Sequence, residues 1–261
     1  MSLFNLFKKD HQAPKQSNIL LAMPMFNEDK RYQLGKIIDN LKTFWSLDVT
    51  DIAGDDEAAS FNVNGEEIAL ANMPVQIPWG DIEGTAQYAY NWKSALKDLE
   101  GHTGHAIVSL MASQNNPVDR FKILSKVLGS ILMTSEAVGV YQGSQSLLIP
   151  RSQYLGHLKA LEEDDVPVML WIYLGLRETA NGNCAYTYGL KDFEKPEIEV
   201  IDSKLSLDEL FDFLFSITAY VIGSNITLKN GETIGLTAEQ KIPIKLSKGQ
   251  FVEGQSLKLE I

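Results

Sequence analysis

The sequence has little of the chemistry on which most metal centres and nucleophilic active sites depend. Its 261 residues include one cysteine, Cys184, and four histidines. A single cysteine excludes an internal disulfide and a zinc site built from several thiolates, and it is typical of a reducing compartment. No apolar run approaches the roughly 18–20 residues of a membrane-spanning helix. We therefore expect a cytoplasmic protein without stable membrane insertion.

Positive charge is also scarce in this chain. It has 23 Lys and Arg residues against 34 Asp and Glu, which gives a formal net charge of −11. A protein that binds nucleic acid needs a basic face, and no dense Lys/Arg cluster occurs here. The composition therefore argues against nucleic acid or another acidic molecule as the main partner, whereas a basic partner is compatible with the negative net charge.

Common catalytic motifs are missing as well. The sequence contains no Gly-x-Ser-x-Gly nucleophile elbow and no Walker-type phosphate loop. Cys184 falls in an expected strand without a neighbouring histidine, which indicates a buried and inert thiol. The short carboxylate runs lack the alternating ligands of a calcium loop. The sequence predicts no cofactor and leans towards a protein that is not an enzyme.

Helix and strand patterns are well developed. Asn116 followed by Pro117 predicts a helix start, and Ser206 with Glu209 forms a capping-box signature. Asn64-Gly65 predicts a tight hairpin turn. Hairpins and helical crossovers are mixed rather than strictly alternating, so we expect an α+β fold with mostly antiparallel sheets and helices packed on them.

The domain organisation is predicted from composition. Residues 1–17 form a leader whose charges follow a short apolar stretch, so it does not resemble a secretory signal. We expect this leader to be flexible. No linker rich in Pro, Gly or Ser divides the rest, and residues 18–261 are expected to form one compact domain.

Two segments of the chain resemble each other. The stretch NGEEIALANMPVQIP begins at Asn64 and aligns with NGETIGLTAEQKIP from Asn230 once one residue is skipped. An internal duplication would explain this, with halves of about 18–112 and 113–261. Chance convergence of common turn sequences is the simpler explanation and is favoured, and the sequence leaves the duplication open.

His102 and His105 stand three residues apart in the stretch LEGHTGHAIVSL. Gly101 and Gly104 indicate that this stretch is the end of a helix and the start of a strand rather than a helical ligand pair. A zinc site needs three or four ligands, and no further ligand is near in sequence. We therefore predict no metal site, and only His105 is kept as a candidate binding residue.

The stretch TYGLKDFEKPEIEV carries alternating carboxylates. On a strand, Glu197 and Glu199 share one face. Burial of that face would raise one pKa and create an acid/base pair; exposure on an edge strand would make the charges protective, and this second interpretation is favoured. Nearby aromatic residues suggest a recognition surface. The candidate ligand- or partner-binding residues are His105, Tyr141, Tyr188, Glu197 and Glu199.

The segments AVGVYQGSQSLLIP, TYGLKDFEKPEIEV and NGETIGLTAEQKIPIKLS, in this order, resemble a bacterial family known as a domain of unknown function, DUF4261. The resemblance extends from about Asn18 and implies a shared fold without an established activity. A second similarity, to suppressor-of-fused (SUFU-like) domains, rests on Thr187/Gly189, Glu197/Glu199, the expected helix over 207–221, and Gly231/Thr233/Ile234. SUFU-like domains are protein-binding modules, and bacterial members are proposed to include immunity proteins of toxin systems.

These features favour a non-catalytic module that binds a protein or a small-molecule ligand. One alternative is an immunity-type protein that neutralises a toxin, because an acidic inhibitor suits a basic target. Another is a metal-assisted hydrolase that uses His102, His105 and a carboxylate. The sequence does not indicate an oligomeric state.

Overall fold

A computed structural model describes residues 19–163, 165–237 and 239–261, so the expected leader lies outside the described residues. Two β-sheets and several helices form the described part, which confirms the α+β prediction. None of the helices found there is long and apolar enough to cross a membrane.

The N-terminal sheet has seven strands in the order β2-β3-β4-β5-β1-β6-β7, and all neighbours are antiparallel. Its strands are β1 (Leu20–Asn27), β2 (Val49–Gly54), β3 (Ala58–Val63), β4 (Glu66–Met73), β5 (His102–Leu110), β6 (Gly139–Gln142) and β7 (Leu147–Pro150).

The C-terminal sheet has six strands in the order β11-β12-β13-β10-β9-β8. Only the pair β10–β13 is parallel among its described neighbours. Its strands are β8 (Tyr173–Thr179), β9 (Gly182–Tyr188), β10 (Ile198–Ser203), β11 (Thr233–Ile234), β12 (Ile242–Lys248) and β13 (Gln255–Leu259).

Helices cover both faces of the N-terminal sheet and one face of the C-terminal sheet. Helices α1 and α4 pack together, with α4 on β1, and α8 packs on β8 and β9. The helices are α1 (Leu34–Thr43), α2 (Trp79–Ala86), α3 (Ala95–Leu99), α4 (Pro117–Thr134), α5 (Arg151–His157), α6 (Lys159–Glu162), α7 (Val168–Trp171) and α8 (Leu207–Gly223). Two 3-10 turns follow β6 and β9, at Gly143–Gln145 and Leu190–Phe193.

The capping residues predicted from the sequence are found at the starts of the long helices α4 and α8. The Asn116 side chain accepts a hydrogen bond from the Val118 amide at 2.8 Å and caps α4. Ser206 and Glu209 form the complete capping box of α8. Capping of this kind satisfies backbone amides that the first helical turn leaves without a partner.

The two Asn-Gly segments occupy different positions in the fold. Asn64-Gly65, with φ angles of 49° and 85°, forms the turn between β3 and β4, as predicted. Asn230 instead precedes β11, and its side chain accepts a hydrogen bond from the Leu246 amide at 2.8 Å. The single domain over 18–261 and its internal duplication stay predictions.

One apolar core extends through both sheets and joins them. At its centre the ring of Phe121 on α4 stacks on that of Phe193 at 4.5 Å and lies 5.7 Å from that of Trp171, centroid to centroid. The Trp171 indole donates a hydrogen bond to the Ser125 hydroxyl at 2.8 Å. This packing fixes the 3-10 turn Leu190–Phe193 of the C-terminal sheet against the N-terminal half of the molecule.

Candidate functional site

A cleft of about 550 Å³ opens where the two sheets meet. Its apolar wall is the beginning of β1, at Leu20 and Leu21, and its polar walls come from the two 3-10 turns and the ends of β9 and β10. The volume lies within the roughly 300–1,000 Å³ typical of ligand pockets. The polar side chains that line it are Ser144, Gln145, Tyr188, Lys191, Asp192 and Glu197.

Glu197 forms the floor of the cleft and is 1% exposed. One carboxylate oxygen accepts from the Thr187 hydroxyl at 2.7 Å, and the other accepts from the Gly189 amide at 2.9 Å and the Lys191 amide at 3.4 Å. Burial raises the pKa of Glu197 above its usual value despite these donors. Gly189 has a φ of +120°, a conformation that favours glycine. Glu197 therefore fixes the turn that carries the other polar groups.

Asp192 stands on that turn and faces the N-terminal sheet. Its carboxylate accepts a hydrogen bond from the Gln145 side-chain amide at 2.6 Å, and Gln145 itself is buried. Burial raises the pKa of Asp192, while the Gln145 hydrogen bond and the Lys191 charge oppose that rise. This contact joins the 3-10 turn after β6 to the one after β9, so it holds the two sides of the cleft together.

The mouth of the cleft is aromatic and acidic. Tyr188 is 38% exposed there. Burial, together with the nearby carboxylates of Glu197, Glu253 and Asp192, raises the pKa of its phenol. Lys191 supplies a positive charge on the same turn, and its ammonium donates to the Glu253 carbonyl at 3.5 Å. Carboxylates thus outnumber the ammonium around Tyr188, which favours a positively charged group in the cleft.

Glu199 is buried outside the cleft. Its carboxylate pairs with the Lys258 ammonium and accepts from the Ser256 hydroxyl and from the amides of Phe251, at 2.6 Å, and Gln250, at 3.1 Å. Burial alone would raise the pKa of Glu199, but these donors outweigh it and lower that pKa. The carboxylate holds the connection between β12 and β13 in place.

The favoured interpretation of Glu197 and Glu199 as protective charges on an exposed edge strand is wrong. Strand β10 lies inside the sheet, between β13 and β9, and both carboxylates are buried. Their different partners move the two pKa values apart, upwards for Glu197 and downwards for Glu199. They serve different parts of the structure rather than one acid/base pair.

The histidine pair lies at the start of β5, away from the cleft. The Nδ1 of His102 donates to the Leu99 carbonyl at 2.7 Å, and its Nε2 accepts from the Ile77 amide at 3.1 Å. His105 Nδ1 donates to the Val75 carbonyl at 2.8 Å, and burial lowers its pKa. Across the described ranges, no group of three or more His, Cys, Asp or Glu side chains is arranged to hold a metal ion.

Tyr141 also lies apart from the cleft. It belongs to β6 and packs against the small apolar cluster under α2 and α3. Burial raises the pKa of its phenol, and a hydrogen bond with Thr85 opposes that rise. His105 faces the same cluster, because it stands opposite Met25 in the sheet. Of the five candidate residues, the structure brings Tyr188 and Glu197 together in the cleft.

Gln145 and Asp192 are cleft residues that the sequence reasoning missed. They are 47 positions apart, and nothing in the local pattern links them. The available signal was that each follows a glycine in a short polar turn directly after a strand, at Gly143 and Gly189. Such turns carry functional side chains more often than strand interiors do.

The raised pKa of Glu197 predicts how replacement with glutamine changes stability. Because its pKa is raised in the folded state, the protonated Glu197 carboxyl contributes stability at low pH. The wild-type protein loses that contribution as pH rises above about 4.5 and through the raised pKa. The free energy of unfolding of Glu197→Gln should therefore increase relative to wild type as pH rises. Urea unfolding between pH 4 and 8 measures this.

Glu199→Gln is the matched control for that series. The pKa of Glu199 is lowered, so its contribution to stability is present above about pH 4.5 and is lost below that value as the pH falls through the lowered pKa. The deficit of the Glu199→Gln variant should therefore grow as pH rises towards 4.5 and then stay constant. Parallel pH profiles for the two variants would contradict the assignment.

The fold and the cleft define an α+β protein with a polar, acidic cleft at the junction of its two sheets. Residues 186–260 match the model of a family described as a domain of unknown function, DUF4261. The match confirms the expected family in the C-terminal part of the chain, over a shorter span than the motifs indicated. Comparison with curated proteins and with solved structures gives no significant match. The SUFU-like similarity stays a prediction.

Proposed function

We propose that this protein is a non-catalytic binding protein of the cytoplasm and that the cleft binds a positively charged group, an ammonium or a guanidinium. The observation that carries this proposal is the set of carboxylates around Tyr188 in a cleft of about 550 Å³. A cation placed beside Asp192 would pair with its carboxylate and contact the Tyr188 ring. Both contacts favour cations.

The hydrogen bonds of the cleft support binding rather than catalysis. The Glu197 carboxylate is held by a hydroxyl and by backbone amides of the turn, so it is committed to fixing that turn. Asp192 is oriented by Gln145. Groups held in this way form a preorganised site, which improves affinity because less ordering is needed on binding.

The basic side chain of a partner protein is the source of the cation that best suits a chain with a net charge of −11. An immunity-type protein that neutralises a basic toxin would be one form of this role. The ring nitrogens of His102 are engaged by backbone groups, and this observation gives no support to a hydrolase built on the histidine pair.

The proposal is tested with N-acetyl-L-argininamide as the probe and N-acetyl-L-glutaminamide as its neutral match. We expect the arginine compound to shift the ¹⁵N-amide NMR signals of residues 188–192 in a saturable way. Asp192→Asn should weaken binding about tenfold or more, because a charge-assisted hydrogen bond contributes about 1.5–3 kcal/mol. Asp212→Asn, on the exposed side of α8, should bind as the wild type does.

Affinity should also rise with pH as Asp192 ionises, because its pKa is raised and only the carboxylate attracts a cation. Lys191 and Glu197 also face the cleft, and both residues are unchanged in Asp192→Asn and Asp212→Asn. Equal responses to the arginine and glutamine compounds, or equal affinities of Asp192→Asn and Asp212→Asn, would overturn the proposal.

A further inference from the structure

Five aromatic rings beside the cleft form a connected series that branches at Tyr173, and we name this series the aromatic strip. Their centroids are separated by 5.1 Å from Phe251 to Tyr186, by 6.0 Å from Tyr186 to Tyr173, and by 6.2 Å and 6.3 Å from Tyr173 to Tyr90 and Tyr88. The strip lies on the face of the C-terminal sheet opposite α8, since its strand residues alternate with those that pack on that helix.

The backbone makes room for the strip at Gly175. Tyr186 stands directly opposite Gly175 in the β8–β9 pair, and a Cβ atom on Gly175 would lie 2.2 Å from the Tyr186 ring. The ring therefore lies flat over the glycine. On the same face, Tyr173 stands opposite Tyr188, so the strip and the mouth of the cleft are adjacent.

Contacts from two other parts of the chain hold the ends of the strip. The Tyr90 hydroxyl donates to the Leu174 carbonyl on β8 at 3.0 Å, and the ring of Tyr90 stays 40% exposed. Glu199 accepts from the Phe251 amide at 2.6 Å, which places Phe251 on Tyr186. Glu199 is thus a positioning residue for the strip.

The strip already receives one guanidinium from its own chain. The Arg177 guanidinium lies over the Tyr88 ring, 5.3 Å from the ring centroid. This distance is that of a cation–π contact. The face of a ring in the strip can therefore accept a guanidinium group.

The spacing of the strip matches an extended peptide. Alternate side chains of a strand are about 6.6–6.8 Å apart on one face, and the centroids of the more accessible rings, Tyr173 and Tyr90, are 6.2 Å apart. Tyr186 is 7% exposed and lies between Gly175 and Phe251, so side chains at alternate positions of an extended segment would meet the rings of Tyr173 and Tyr90. The carboxylates beside Tyr188 favour a positive charge beside the strip.

We propose that the aromatic strip and the cleft together bind an extended segment of a basic partner protein with arginines at alternate positions, one in the cleft and the next over the strip. This inference rests on the proposed function, because it identifies the source of the cation as an Arg-x-Arg segment. The charge of the partner is complementary to that of this chain, whose net charge is −11. Planar guanidinium groups suit the site because they stack on aromatic faces and also pair with carboxylates.

The test compares three peptides by isothermal titration calorimetry with the full chain. Acetyl-Arg-Ser-Arg-Ser-Arg-amide presents arginines at alternate positions, acetyl-Arg-Arg-Arg-Ser-Ser-amide has the same composition in another order, and acetyl-Lys-Ser-Lys-Ser-Lys-amide keeps the charge without guanidinium groups. We expect the alternating arginine peptide to bind most tightly. Its advantage over each of the others should be about fivefold or more, which corresponds to loss of one or two cation–π contacts.

Variants locate the peptide on the surface. Tyr90→Ala should weaken the alternating peptide about two- to fivefold, the effect of one exposed cation–π contact, whereas Tyr90→Phe, which keeps the ring, should retain binding. Tyr220→Ala is the matched control, because Tyr220 is 53% exposed on α8, which covers the opposite face. Near-UV circular dichroism and thermal unfolding check that each variant is folded.

The outcomes separate the two proposals. Equal affinity for the two arginine orders, or equal effects of Tyr90→Ala and Tyr220→Ala, would overturn the Arg-x-Arg inference while N-acetyl-L-argininamide still bound the cleft. Absence of any response to N-acetyl-L-argininamide at residues 188–192 would overturn the proposed function itself, and the inference with it.

Discussion

Replacing Glu199 with leucine should destabilise the protein by about 3–5 kcal/mol, the range measured when one partner of a buried ion pair is removed. The Lys258 ammonium would remain in a largely buried position without its carboxylate. The amides of Gln250 and Phe251 and the Ser256 hydroxyl would lose their acceptor at the same time. The same change should release Phe251 from Tyr186 and so weaken binding of the alternating arginine peptide.

Urea unfolding measures this effect, and an exposed ion pair on the same sheet provides the control. Glu260 lies 3.9 Å from Lys245 with both side chains more than half exposed, so Glu260→Leu should change stability by less than about 1 kcal/mol. Adding Lys258→Met to Glu199→Leu should recover part of the loss, since the unpaired ammonium is then absent. Equal losses for Glu199→Leu and Glu260→Leu would contradict the assigned role.

Replacing Arg120 with methionine should destabilise the protein by a similar amount, because it breaks a buried ion pair in the N-terminal sheet. The Arg120 guanidinium pairs with the Glu66 carboxylate at 3.3 Å, and both side chains are at most 6% exposed. It also donates to the Leu110 and Met111 carbonyls. Methionine fills similar volume but leaves the buried Glu66 charge without its cation, and a loss of about 3–5 kcal/mol is expected.

The Arg120–Glu66 pair should affect stability without affecting binding in the cleft, because of where it lies. It connects β4, the end of β5 and the start of α4, and the Ser113 hydroxyl donates to the same Glu66 carboxylate at 2.8 Å. The pair lies outside the cleft, so a folded Arg120→Met protein should bind N-acetyl-L-argininamide as the wild type does. Chemical denaturation gives the stability change. A loss below about 1 kcal/mol would show that the pair contributes no more than an exposed one.

The parts of the fold that depend on local chemistry could be predicted from the sequence. Asn116 and the Ser206–Glu209 box place the starts of two long helices because capping involves residues at most three positions apart. The Asn64-Gly65 turn follows from the positive φ angles that these residues tolerate. The mixture of hairpins and helices then leads to the α+β class.

The environment of Glu197 and Glu199 could not be predicted in the same way. Their alternation is visible in the sequence, but their burial depends on β13, which pairs with β10 from about 60 positions later and in parallel. Parallel pairing over such distances leaves no local signature. The local pattern therefore predicts an edge strand, and the order of the strands in the sheet corrects this prediction.

The binding residues of the cleft could also be predicted only in part, because some of their contacts join distant parts of the chain. Tyr188 and Glu197 were candidates because they occur in one polar and aromatic segment. Asp192 belongs to that segment too, but its importance depends on Gln145, which reaches it from the other sheet. His105 is a candidate because it begins an expected central strand, and the structure places His105 and Tyr141 beneath α2 and α3.

The central claim is that the cleft binds a guanidinium group beside Asp192 and Tyr188. The most direct measurement is a search for intermolecular nuclear Overhauser effects between N-acetyl-L-argininamide and the isotope-labelled protein. We predict contacts from the arginine δ-methylene protons to the Tyr188 ring and to the amides of residues 189–192, all much weaker in Asp192→Asn at the same ligand concentration. Contacts elsewhere on the surface, or contacts at Tyr188 that persist unchanged in Asp192→Asn, would contradict the claim.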